Sequence, residues 1–163
     1  GTKWLNDLWT FDVDARRWTC VLPDSDDPSG GGRPSRRYGH VSIVRSNKLI
    51  VFGGFDGSRW LNDMFEFDLT TKEWRTIDAN GDVPSVRSNP AWTCDGRRVY
   101  LHGGYGTSGP RGDLERKADL FACDLSAYAW SELPCGDEDA MPSPRYFHSC
   151  CMHNGILYIY GGY

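Results

Sequence analysis

This 163-residue sequence predicts an all-β fold of the propeller class, a segment of about three four-stranded blade-equivalents. Three observations carry that prediction. The stretch LNDLWTFD at 5–12 returns as LNDMFEFD at 61–68 and, altered, as KADLFACD at 117–124. An apolar run closed by two glycines recurs as LIVFGGF (49–55), VYLHGGY (99–105) and LYIYGGY (157–163). No stretch sustains an apolar period of about 3.6 residues, so helices are expected to be scarce. Short strand units repeating at roughly 50 residues are the mark of blades, each of which buries its faces against its neighbours.

Each unit reads as four strands, a to d. Strand a follows an arginine, in RYGHVSIV (37–44), RSNPAWTC (87–94) and RYFHSCCM (145–152). Strand b is the run that ends in the glycine pair, and strand c holds the LND stretch. Strand d carries a tryptophan, at Trp18, Trp74 and Trp130. The strands are β-branched and aromatic, and Gly, Asn, Asp and Pro separate them. The resulting division gives strands c and d of a blade to 1–35, full blades to 36–85 and 86–144, and strands a and b to 145–163. Gly53, Gly54, Gly103, Gly104, Gly161 and Gly162 permit positive φ and close approach of a neighbouring ring. Trp18, Trp74 and Trp130 are large enough to fill the wedge between blades. All of these marks are read as structural, and none as catalytic.

The glycine pair after an apolar strand, the LND(L/M)(W/F)xFD strand and the tryptophan after it together resemble kelch repeats, over essentially the whole chain. Among kelch proteins, RRYGH followed by LIVFGG and LNDMFEFD looks most like the intracellular leucine-zipper-like regulators and related multi-kelch adaptors. The resemblance implies a kelch-type propeller segment of half a blade, two blades and half a blade, part of a larger propeller. It also implies a protein–protein interaction module, acting as the substrate-recognition part of a ubiquitin-ligase adaptor or as a scaffold. Two alternatives stand beside it. One is a kelch-type metal-dependent enzyme, of the copper-oxidase or iron-dependent specifier class; the other is an architectural subunit of a large assembly.

Composition narrows the field. The formal charge is −4 with basic and acidic residues interspersed, which is not a nucleic-acid footprint. No apolar run is long enough for a membrane span. The six cysteines form no CxxC pair, and with no N-x-S/T sequon this favours free thiols in an intracellular, cytoplasmic setting. The last strand, YIYGGY (158–163), followed by the first residues, reads like VFGGFDGSRWLNDMF (51–65). The missing strands are therefore expected from the rest of a longer chain or from a second copy.

In a four-stranded meander the b–c and d–a connections share one end. There the sequence is long and varied: 23–36, 55–60, 78–86, 105–117 and 134–144. The other end has short turns. Function is expected on the long-loop face. The candidate contacts with a protein partner are Arg37, Arg59, Trp60, Arg87, Arg111, Arg116 and Arg145, since arginine and tryptophan anchor interfaces. Arg37, Arg87 and Arg145 recur in register, so a blade-stabilising role is the competing reading for them. No catalytic residue, metal site or cofactor is expected. GYGTSG (104–109) contains GxGxxG but runs into Pro110 rather than a helix. RGD (111–113) reads as chance. Glu115 and Asp119 resemble two ligands of the specifier iron site, but Cys123 stands where a histidine is needed. His40, His102, His148 and His153 do not make the two-His, two-Tyr set of a copper oxidase.

Overall fold

The computed structural model describes residues 3–26, 32–108, 111–136 and 141–163. Every regular element among them is a strand, in four sheets. The first pairs β1 (Leu8–Asp12) with β2 (Arg17–Leu22). The second runs β3 (Val41–Arg45), β4 (Lys48–Phe55), β5 (Trp60–Asp68), β6 (Trp74–Ile77). The third, in spatial order, is β7 (Asn80–Gly81), β11 (Ala129–Glu132), β10 (Asp113–Asp124), β9 (Arg98–Ser108), β8 (Ala91–Cys94). The fourth pairs β12 (Ser149–His153) with β13 (Ile156–Tyr160). Neighbours are antiparallel except β7, which runs parallel to β11. The first strands of successive sheets, β3, β8 and β12, lie side by side. This is the arrangement of a propeller segment: half a blade, two blades, half a blade.

Local chemistry explains the turns. The aspartate that ends each strand c caps the turn into strand d. Asp12 accepts from Ala15 N at 2.7 Å, Asp68 from Thr70 N at 2.8 Å, and Asp124 from Ser126 N at 2.9 Å. Each turn is then completed by a residue at positive φ: Arg16, Lys72 and Tyr128. An Asx turn followed by a left-handed residue reverses the chain within a few residues.

The core lies in the seam between the second and third sheets. Ile50, Phe52, Met64 and Ile77 come from one side, and Leu101, Phe121, Cys123 and Trp130 from the other. Trp130 is only 2% exposed and its ring lies 5.2 Å from that of Phe52. Trp74 is half-buried against Phe67 at 5.1 Å, whereas Trp18 is 64% exposed. One chain position thus has three environments, depending on whether a neighbouring sheet stands over it. Glu66 is buried in the same seam. Burial opposes its charge, but hydrogen bonds from Arg75 (2.8 Å), Lys48 and, across the seam, Tyr128 pull its pKa down to about 2.

The glycine pairs have a backbone reason. Gly53 and Gly103 have φ of 67° and 63°. A Cβ on Gly103 would sit 2.6 Å from the carbonyl oxygen of Arg145, and one on Gly53 2.9 Å from that of Arg87. The arginine carbonyl of the next unit comes that close because it accepts from the second glycine: Gly54 N to Arg87 O and Gly104 N to Arg145 O, both 2.9 Å.

Two segments expected as loops are more regular than that. Residues 105–108 and 113–117 extend β9 and β10 into a two-stranded ribbon, with Arg116 opposite Tyr105 and Asp113 opposite Ser108. The 78–86 connection lays β7 along strand d of the next blade, with Asn80 N bonding Tyr128 O at 3.1 Å.

Candidate interaction surface

The LND stretch divides its work residue by residue. The carbonyl of Leu61 accepts from Arg87 N of the following unit at 2.9 Å, and the carbonyl of Lys117 from Arg145 N at 3.0 Å. Asn62 Nδ2 donates to Pro84 O at 3.1 Å, pinning the d–a connection. Asp63 takes the guanidinium of Arg37 in its own blade, at 2.6 and 3.0 Å, and Asp119 takes that of Arg87 at 2.5 and 2.9 Å. The remaining bonds of each arginine are also alike. Arg87 donates to Ser85 O, Gly103 O and Ser85 Oγ, as Arg37 does to Ser35 O, Gly53 O and Ser35 Oγ. Both guanidinium groups lie over a strand-c phenyl ring, of Phe65 and Phe121, at 5.3 and 5.4 Å.

Arg37 and Arg87 are therefore buried. As contact candidates they are corrected: their donors are committed to carbonyls and a carboxylate, and little of either side chain faces solvent. Arg145 is half-buried and makes the same three bonds, to Ser143 O, Gly161 O and Ser143 Oγ. Among the described residues it has no carboxylate partner.

The long-loop end carries a second repeated arrangement. The aromatic residue after each glycine pair (Phe55, Tyr105, Tyr163) receives a side chain from the preceding unit. Trp4 packs on Phe55 at 5.9 Å, Trp60 on Tyr105 at 6.0 Å, and Arg116 lies over Tyr163 at 4.5 Å. Residues 4, 60 and 116 are spaced by 56, so an arginine takes the tryptophan's place in the third unit. Tyr38 bridges Trp4 (5.5 Å) and Phe55 (5.7 Å), and Tyr146 bridges Tyr105 (5.3 Å) and Tyr163 (5.6 Å). An unbroken arc of rings crosses three seams. Trp4, Tyr38 and Tyr163 are exposed, and Phe55, Trp60, Tyr105 and Tyr146 half-buried.

Beside this arc stand the other named candidates. Arg59 is exposed and reaches Asp56 at 3.4 Å. Arg111 and Arg116 are exposed on the ribbon. A further arginine of this end, Arg36, which was not among them, is held by Asp24 (2.6 Å) and Asp26. Reading the sequence missed the arc as a unit, although its signal was present: the aromatic after the glycine pair and the side chain 56 residues apart both repeat.

The motifs set aside earlier find their places. Gly104 and Gly106 belong to β9, which opens no helix, while Gly109 lies outside the described residues. Glu115 accepts from Lys117 (3.2 Å), and Asp119 is the partner of Arg87. Cys123 is buried, which pushes its thiol up to about 12. His102 and His148, from adjacent sheets, share a hydrogen bond of 2.9 Å, and each leaves its other ring nitrogen buried without a partner. Burial lowers the pKa of both, that of His148 to about 4. Among the described residues no group of three or more His, Cys, Asp or Glu is placed to hold a metal ion, and no helix is long and apolar enough to cross a membrane.

Comparison with known proteins accords with this geometry. The family described as the KLHDC2/KLHL20/DRC7 Kelch-repeats domain matches residues 1–162. Kelch domain-containing protein 10 of Homo sapiens is 31% identical over 163 residues, 97% of this chain and 35% of that protein. The Xenopus tropicalis protein of the same name is 30% identical, over 97% of this chain and 37% of its own length. Leucine-zipper-like transcriptional regulator 1 of Pongo abelii is 26% identical over 99% of this chain and 19% of its own length. The chain thus spans about a third or less of these relatives. With its glycine pairs, its LND strands and the seam tryptophan Trp130 accounted for in the structure, this chain belongs to the kelch-repeat family.

Proposed function

We propose that this segment binds a partner protein through its long-loop end, and that the aromatic arc with Arg59, Arg111 and Arg116 forms the contact. A kelch-repeat chain of this kind is a protein–protein interaction module. The observation that supports this particular face is the arc itself. Aromatic rings, with arginine, are the side chains that contribute most to interface energy, and the arc sets seven of them side by side at this end. In this reading the segment serves substrate recognition in a ubiquitin-ligase adaptor, or scaffolding, in the cytoplasm, and performs no catalysis. The open flanks of the first and fourth sheets are covered by further blades, from the rest of a longer chain or from a second copy.

Affinity capture with the tagged chain tests the face. R59E, W60A and R116E should each lose bound partner relative to the parent, while K72E in a short c–d turn should not. Capture unchanged by the first three, or lost equally in all four, would sink the assignment.

A further inference from the structure

We propose that the seam between the second and third sheets holds a phosphoryl-binding pocket at its short-turn end, with Arg45, Lys48 and Arg97 as the contacts of the anion. The pocket lies at the opposite end from the aromatic arc and rests on nothing argued for that arc. It is built entirely by the two complete blades.

A cavity of about 180 Å³ opens there between the turns of the two sheets. Arg45 and Lys48 come from the a–b turn on one side, and Arg97, Asp124 and Tyr128 from the a–b and c–d turns on the other. Ile50, only 2% exposed, forms part of the wall. An apolar wall keeps water from one side of a charge and so strengthens its attraction to an opposite one.

The cations of this pocket are not all answered. Lys48 gives its ammonium to Glu66, and Arg75, over the Tyr128 ring at 5.7 Å, bonds the same carboxylate oxygen at 2.8 Å. Arg97 reaches one oxygen of Asp124 at 3.1 and 3.3 Å, while the other oxygen accepts from Ser126 N and Oγ at 2.9 and 2.6 Å. The side chain of Arg45 is half-buried, yet among the described residues it makes no hydrogen bond and no ion pair. Four cations thus face two carboxylates, an excess of two positive charges in a chain whose formal charge is −4.

A phosphoryl group carries about −1.5 to −2 charges at pH 7 and three strong acceptor oxygens. It matches the excess charge, whereas a single carboxylate would leave the seam cationic. Every donor of the Arg45 guanidinium is uncommitted, and its planar fork offers a phosphoryl group two parallel bonds. Because the contacts come from both sheets, an anion held between them ties one blade to the next and stabilises the folded chain by mass action.

Thermal melts and calorimetric titration of the purified chain, in chloride buffer at matched ionic strength, are the test. The probes are inorganic phosphate and a glycine-rich pentapeptide with a central phosphoserine, set beside its unphosphorylated form. Phosphate should raise the melting temperature more than chloride does. R45Q and R97Q should each weaken its binding about tenfold, whereas K72Q, in the c–d turn of the second sheet and outside the pocket, should leave it unchanged. R45Q should keep the near-UV circular dichroism of the parent, since the side chain it replaces holds no bond. Binding of the phosphopeptide that the unphosphorylated form does not share assigns the site to a phosphorylated protein segment; binding of phosphate alone assigns it to a small soluble phosphate. No shift beyond that in chloride overturns the proposal, as does phosphate binding equal in the parent, R45Q and R97Q. The capture experiment on the long-loop end reads a different surface and is untouched by either result.

Discussion

Replacing Asp119 by alanine isolates the energetic weight of the arginine clamp. The Arg87 side chain is 0% exposed and that of Asp119 25%. Removing one partner of a fully buried ion pair costs about 3–5 kcal/mol, because the other charge is left in the interior. Here two factors lower the figure. Arg87 retains its bonds to Ser85 and Gly103, and the opening left by Asp119 admits water to the donors at 2.5 and 2.9 Å that the carboxylate had held. A loss of about 2–3 kcal/mol follows. With a urea slope of about 2 kcal/mol/M, the unfolding midpoint should fall by about 1 M at fixed protein concentration. The control is the same substitution in an Arg87→Met background, where no charge remains to be stranded and the further cost should be under about 1 kcal/mol. A midpoint shift below about 0.3 M, or equal costs in the two backgrounds, would refute the view that Asp119 works by neutralising a buried cation.

Three other outcomes follow from the seams. His102 and His148 bind protons less readily in the folded chain than in the unfolded one, so the unfolded state takes up more protons as pH falls and stability declines from about pH 6.5 to about pH 4. The double variant H102F/H148F should flatten the decline in thermal melts across that range, and an unchanged slope would contradict the assignment. Gly103→Ala forces a Cβ to 2.6 Å from the Arg145 carbonyl at a φ of 63° and should cost more than about 2 kcal/mol in urea titrations, whereas Gly155→Ala, at φ 75° with open space around it, should cost about 1. A disulfide reagent at neutral pH should label the exposed Cys20, Cys135 and Cys151 in the folded protein, and Cys123 only at the rate of unfolding; fast labelling of Cys123 would mean that the seam opens readily.

The fold was legible because the wedge between blades makes the same demands in every unit. Each demand leaves a mark: a glycine where a carbonyl approaches, a tryptophan where a gap needs filling, an aspartate where a turn begins. The ribbon of 105–108 and 113–117 was not legible, since its Gly, Asp, Glu and Lys residues disfavour strands and are held there by pairing across the ribbon. For Arg37 and Arg87 the sequence left both surface contact and blade stabilisation open, for a related reason. Arginine is seldom buried, and the acids that make burial tolerable lie 26 and 32 residues further on. The histidine pair is separated by 46 residues in different units, with no repeating partner to announce it. The arc was half visible, in Trp60 and Arg116, but its continuity depends on seams that only the fold assembles.

Each arginine of the clamp belongs to two sheets at once. Through its main chain Arg87 is fastened to Leu61 and Gly54 of the blade before it, and through its side chain to Gly103 and Asp119 of its own. The repeat visible in the sequence is therefore not a separable mechanical part. Melting one sheet removes the carbonyl and the glycine N–H that hold the next sheet's arginine main chain in place. Loss of a single clamp should be felt as loosening on both sides of a seam, and such a chain grows or shrinks safely only by whole repeats that bring a glycine pair, an arginine and an aspartate together.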